Sequence, residues 1–168
     1  MFVLKNLGIF VVFNYATLMV LCTEYPKCTW MGGNTNRLTA VFKGFCYMFS
    51  ENELSWQNAK DECYKNGGRL ADILNHETTD FINQYRKDNG IADHDAWIGL
   101  AWHKSVQRYI WTTGTHVNYK NWAHGEPSRI GIYVVVSADH GKWRNVAPPL
   151  NRGLEERYIC KAGKEKKT

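Results

Sequence analysis

Catalytic signatures are missing from this chain of 168 residues. It holds no Gly-x-Ser-x-Gly, no His-Glu-x-x-His and no phosphate-cradling glycine loop, so the nucleophile elbow, the zinc-protease helix and the nucleotide cradle have no foothold. Cys-x-x-Cys is absent too, which argues against zinc held by cysteines. The histidines at 76, 94, 103, 116, 124 and 140 are scattered, and Asp93-His94-Asp95 beside Gly90 reads as an exposed loop. Basic residues form no interleaved basic–aromatic motif, which together with expected export leaves nucleic acid unsupported as a partner. No internal repeat is visible, and low complexity is confined to the C-terminal end. An enzyme is not expected.

What is present is an aromatic-rich chain of one-domain length, 44% hydrophobic and 22% charged, a globular balance. Seven Trp, nine Tyr and seven Phe can fill a small core or serve as contact anchors on a surface. Residues 1–22 read as a cleavable secretory signal: Lys5 is the positive end, Leu7 to Leu21 is mostly apolar, and a cut after Cys22 leaves Thr23 first. The alternative is a signal anchor, but the apolar stretch is shorter than the roughly 20 residues of a span and contains Asn14. The expected location is extracellular, by secretion. Formal net charge is +5, and +4 once Lys5 leaves. The lysines at 161, 164, 166 and 167 mark a solvated end, with 164–168 a basic tail. Cys28, Cys46, Cys63 and Cys160 then remain, an even set suited to an oxidising compartment, for which three pairings are possible.

Coarse patterning predicts α+β with segregated helices. An aromatic strand spans 42–49, and Ser55 caps a helix that places Trp56, Ala59, Lys60 and Cys63 on one face. A short apolar strand follows at 70–74. Asn75 caps a second helix with Phe81, Ile82 and Tyr85 toward the core. Strands are then expected over 96–102, 108–112, 130–137 and 157–161, punctuated by Gly and Pro.

The ordered series Trp97-Ile98-Gly99-Leu100, Trp111, Trp122, Gly125-Glu126-Pro127, Gly141-Lys142-Trp143 and Tyr158-Ile159-Cys160 resembles the C-type lectin-like domain, an extracellular recognition fold. The likeness runs from Cys28 to Lys161, within a domain drawn over 23–163. It implies two helices, short antiparallel sheets and a long loop region. It also implies the disulfides Cys28–Cys46 and Cys63–Cys160, the second closing a loop of about a hundred residues, worth about 4–5 kcal/mol in chain-entropy models. Gly99 would let another backbone or ring approach the strand closely.

Two departures from the family pattern matter. Its second disulfide would join the neighbourhoods of 132–136 and 146–149, and neither holds a cysteine; Tyr133 against Pro148 or Pro149 is the expected substitute. Calcium-binding relatives carry Glu-Pro-Asn and Trp-Asn-Asp, where this chain has Glu126-Pro127-Ser128 and Trp143-Arg144-Asn145, with no acid from 129 to 138. One carboxylate of three survives, so no cofactor is expected, calcium included. Glu126 and Arg144 would instead pair and close the loop, and Pro127 is of the kind that is typically cis in such loops.

The resemblance leaves a glycan or an extracellular protein as the partner, with carbohydrate bound without calcium as the first reading. Candidate ligand-binding residues are Tyr119, Trp122, His124, Glu126, Ser128, Arg144 and Asn145. Trp97, Trp111 and Trp143 are expected in the core, and Trp122 at the surface.

Overall fold

A computed structural model describes Cys28, residues 38–147 and residues 154–163. The signal segment 1–22, the tail 164–168 and Pro148-Pro149 lie outside the described residues. The strands are β1 (Leu38–Phe42), β2 (Phe45–Phe49), β3 (Arg69–Leu70), β4 (Ala96–His103), β5 (Arg108–Trp111), β6 (Tyr133–Val136), β7 (Trp143–Val146) and β8 (Arg157–Ala162). The helices are α1 (Trp56–Lys65) and α2 (His76–Asp88). The sheet runs β1-β2-β8-β4-β6-β7, with β3 added on β8 and β5 on β4.

Both helix starts follow the predicted caps. The Ser55 side chain accepts from the Asn58 amide and the Asn75 side chain from the Thr78 amide, each satisfying a donor that the first turn leaves free. Trp56, Ala59 and Cys63 are buried on α1, as their spacing requires. On α2 Ile82 is buried, whereas Phe81 and Tyr85 are half-buried, with Phe42 stacked on Phe81 and Phe49 on Tyr85.

The expected strand over 42–49 is two strands. Lys43 and Gly44 take positive φ and fold β1 back on β2, a two-residue hairpin turn. The stretch 70–74 yields only the two-residue β3, and β7 is a strand where none was predicted. Pairing is antiparallel throughout except between β4 and β8, which run parallel through Ala96–Arg157 and Trp97–Tyr158.

Strand alternation divides the core in two. From β2 and β6, Tyr47, Phe49, Val134 and Val136 face the side that holds Ile82, Trp111 and Trp143. Met48 and Val135 face the other, with Trp56, Cys63, Trp97 and Cys160. Trp56 and Trp97 are buried with their indole N–H groups satisfied, by the carbonyls of Ile98 at 3.0 Å and Leu54 at 2.8 Å. Gly99 does what the sequence implied: a Cβ there would lie 2.6 Å from the Leu70 carbonyl oxygen and from Thr112 Oγ1.

The disulfides are Cys28–Cys46 and Cys63–Cys160, with Cα separations of 5.6 and 5.5 Å. Peptide mapping of non-reduced protein should recover both linked pairs and no free thiol at Cys63 or Cys160. The expected contact of Tyr133 with Pro148 or Pro149 falls on residues outside those described. Tyr133 stacks on Trp56, ring centroids 4.4 Å apart, and meets Trp97 edge-on. The two segments the cysteines would join are paired by the sheet itself, Tyr133 opposite Val146 and the Ile132 amide 2.9 Å from the Val146 carbonyl.

Candidate functional site

Between β5 and β6 the chain makes a long loop, residues 112–132, which β7 pins from beneath. The Trp143 amide donates to the Asn121 carbonyl and the Ala123 amide to the Trp143 carbonyl, both at 2.8 Å. These bonds lay residues 121–123 alongside β7.

Alternation along β7 decides which side chains reach the loop. Trp143 and Asn145 are buried, whereas Arg144 and Val146 are half-exposed and point the other way. Asn145 enters the loop, and its side chain makes five hydrogen-bond contacts. Oδ1 accepts from the Ser128 amide at 2.9 Å and from Ser128 Oγ at 2.8 Å. Nδ2 donates to Tyr109 Oη at 2.6 Å and to the carbonyls of Ser128 at 2.7 Å and Gly131 at 3.1 Å. A side chain at 131 would collide with this carboxamide, since a Cβ there would sit 2.2 Å from Asn145 Cγ. Tyr109 Oη donates in turn to the Gly131 carbonyl at 2.9 Å. Burial pushes the Tyr109 hydroxyl above its ordinary pKa, opposed by the Asn145 hydrogen bond and assisted by the Glu126 charge.

Two of the three positions that depart from the family motif, Ser128 and Asn145, therefore hold each other, and the expected Glu126–Arg144 pair does not form. Glu126 lies on the Asn145 side, where Oε2 accepts from the amides of Ser128 at 2.9 Å and Asn145 at 3.3 Å. Arg144, one residue along a strand, faces away and pairs with Asp95, whose other oxygen accepts the Ala138 amide at 2.8 Å. Glu156 belongs to that second cluster; burial, and then the Asp95 charge, raise its pKa, with Arg144 opposing. Glu126→Ala and Arg144→Ala should be additive in a double-mutant cycle, because the side chains share no contact. Urea unfolding of the two single variants and the double variant checks this.

This donor set does not fit a calcium ion. Ca²⁺ takes six to eight oxygens with several carboxylates among them, whereas here the Asn145 oxygen is turned onto Ser128 and one Glu126 oxygen onto two amides. Among the described residues no three His, Cys, Asp or Glu side chains are grouped to hold a metal. Glu126-Pro127 is a cis peptide.

The remaining candidates divide. Trp122 is half-buried, its ring 5.1 Å from Tyr109 and 5.7 Å from Trp143. Tyr119 turns from the loop surface toward α2, edge-on to Trp143 with its hydroxyl 3.0 Å from Thr79 Oγ1. His124 is exposed. The structure brings Trp122, Glu126, Ser128 and Asn145 to one region and places Arg144 and Tyr119 elsewhere.

Sequence reasoning missed Tyr109 and Trp102. Tyr109 is two residues from the core Trp111 on the same strand, so both point to one face; that alternation was the available signal. With Trp122 they line a groove of about 670 Å³ between the β4–β5 hairpin and the long loop.

The C-type lectin domain family matches residues 52–162 of this chain. Human lithostathine-1-alpha is 33% identical over 113 residues, covering 64% of this chain and 68% of the relative. Mouse lithostathine-1 is 30% identical over 126 residues, covering 72% and 74%. The structure of human lithostathine superposes with a TM-score of 0.67 at 30% identity, over 74% of this chain and 96% of that one. With disulfides, mixed sheet and two capped helices in the family's order, the chain belongs to the C-type lectin domain family.

Proposed function

We propose that this domain is a secreted recognition module that binds carbohydrate without calcium, at the surface formed by the long loop. The observation that carries the reading is the Ser128–Asn145 contact. In a calcium-dependent site the ion ties the loop to the strand below it, and here a neutral carboxamide ties Ser128, Gly131 and Tyr109 together. This contact supports a binding face that needs no metal to hold it. Export is supported by the signal-like first 22 residues and by two disulfides. Among the described residues no helix is long and apolar enough to cross a membrane.

A glycan array run with and without chelator tests the reading. Binding of defined glycans that survives chelation is the expected result, and chelator-sensitive binding would defeat it. A blank array would favour a protein ligand. A second measurement isolates the metal. Millimolar Ca²⁺ should leave the melting temperature unchanged, whereas a ligand at a hundred times its Kd would add about 2.7 kcal/mol.

A further inference from the structure

The groove beside the loop has a distinctive lining. Its rings form a continuous row: Trp102 meets Tyr109 edge-on at 5.3 Å, and Tyr109 meets Trp122 at 5.1 Å. Arg108, His116 and Lys120 stand around them, and no Asp or Glu lines the groove. Arg108 and Lys120 are exposed, and among the described residues neither has a carboxylate partner. Lys104 and Arg129 are exposed without such a partner as well, so it is their place beside the rings that sets Arg108 and Lys120 apart. A volume of about 670 Å³ is within the usual range for a small-ligand site. The row is also held in place from below, since Tyr109 Oη both receives Asn145 Nδ2 and donates to Gly131.

We propose that this groove is a subsite for an anionic saccharide, one carrying sulfate or carboxylate groups. The inference rests on the carbohydrate reading above and adds the class of sugar. Ring faces suit the C–H faces of pyranose units, and the guanidinium fork of Arg108 suits a sulfate or carboxylate through paired hydrogen bonds. A neutral sugar would use the rings and leave both cations without a partner. The groove lies on the β4–β5 side of the long loop, with Pro127 of the motif stretch at its edge and Asn145 beneath Tyr109.

The test titrates the whole secreted protein with a heparin-derived hexasaccharide and with maltohexaose, a neutral hexasaccharide, at physiological ionic strength. Three variants accompany the wild type: Arg108→Ala/Lys120→Ala, Trp102→Ala, and Lys164→Ala/Lys166→Ala/Lys167→Ala in the tail. The sulfated sugar should bind at least ten-fold tighter than the neutral one. The Arg108/Lys120 change should weaken it more than ten-fold and flatten its dependence on salt, because exposed charges are screened within about 8 Å. Trp102→Ala should weaken both sugars, and the tail change should have less than a two-fold effect. Affinity lost with the tail lysines and kept without Arg108 and Lys120 would overturn the proposal as diffuse attraction. Calcium-independent binding of neutral glycans with no preference for the sulfated sugar would overturn the groove and leave the carbohydrate reading standing. No saccharide binding of any kind would remove both.

Discussion

Asn145→Ala should destabilise the domain by about 3–5 kcal/mol and weaken ligand binding together. A buried hydrogen-bonding group left without its partner costs about 1–3 kcal/mol, and this truncation removes one partner from several groups at once, although the Ser128 amide keeps Glu126 and the Gly131 carbonyl keeps Tyr109. The Ser128 amide, the carbonyls of Ser128 and Gly131, and Tyr109 Oη all face the Asn145 carboxamide, which belongs to a residue only 5% exposed. Solvent entering the gap will recover part of the loss, which keeps the total below the sum of separate penalties. In a domain of this size the melting temperature should fall by roughly 10 °C. Asn145→Asp separates chemistry from volume. It keeps the shape and the two acceptor bonds from Ser128, but its carboxylate cannot donate and would face two carbonyl oxygens and the Glu126 carboxylate. It should therefore be destabilising in spite of restoring the acid found in calcium-binding relatives. Urea unfolding with linear extrapolation measures both variants. A loss below about 1 kcal/mol for Asn145→Ala, with binding unchanged, would mean that the loop is held by something else.

Trp143→Ala should be similarly costly, about 3–5 kcal/mol, the usual range for removing a buried large aromatic. The Trp143 ring is fully buried and receives the edges or faces of Trp111, Tyr119 and Trp122, at 5.5, 5.7 and 5.7 Å. Taking it out opens a cavity beneath Trp122, so one end of the aromatic row loses its support. Loss of stability and loss of ligand binding should then appear in the same variant. Trp143→Phe is the informative comparison. The buried Trp143 indole N–H meets no protein acceptor among the described residues, so phenylalanine gives up ring volume but no bond to them. Its cost should be clearly smaller, and binding should be largely kept. If both substitutions cost the same, the packing argument for Trp143 fails.

Asn145 and Trp143 belong to a strand that was not read from the sequence, although the tryptophan itself was correctly assigned to the core. Residues 143–146 alternate buried and exposed positions, but four residues with a charge and an amide among them carry little strand signal alone. Missing the strand led directly to the wrong partner for Arg144. Glu126 and Arg144 look like a natural pair when loop and motif are read as text. Once β7 is a strand, adjacent residues face opposite sides, and a side chain that follows the buried Trp143 must point away from the loop it was meant to close. The hairpin within 38–49 was missed for a related reason: Phe42 and Phe45 to Phe49 read as one aromatic run, and only the positive φ at Lys43 and Gly44 divides it.

The sequence by itself determined the features whose causes are local or covalent. Ser55 and Asn75 cap their helices through amides three residues away, and Gly99 occupies a position where only hydrogen fits. The ordered aromatic, glycine and cysteine motifs identified the family, and through it the two disulfide pairs. Tertiary structure alone decided what the loop is tied to and what lines the groove. Asn145 meets Tyr109 across 36 residues of chain and Ser128 across 17, and Arg144 meets Asp95 across 49. Such meetings depend on the register of β7 against β6 and on the path of residues 112–132 over it. A one-residue shift of that register would exchange Arg144 for Asn145 at the loop, and nothing local to either residue specifies which of them faces it.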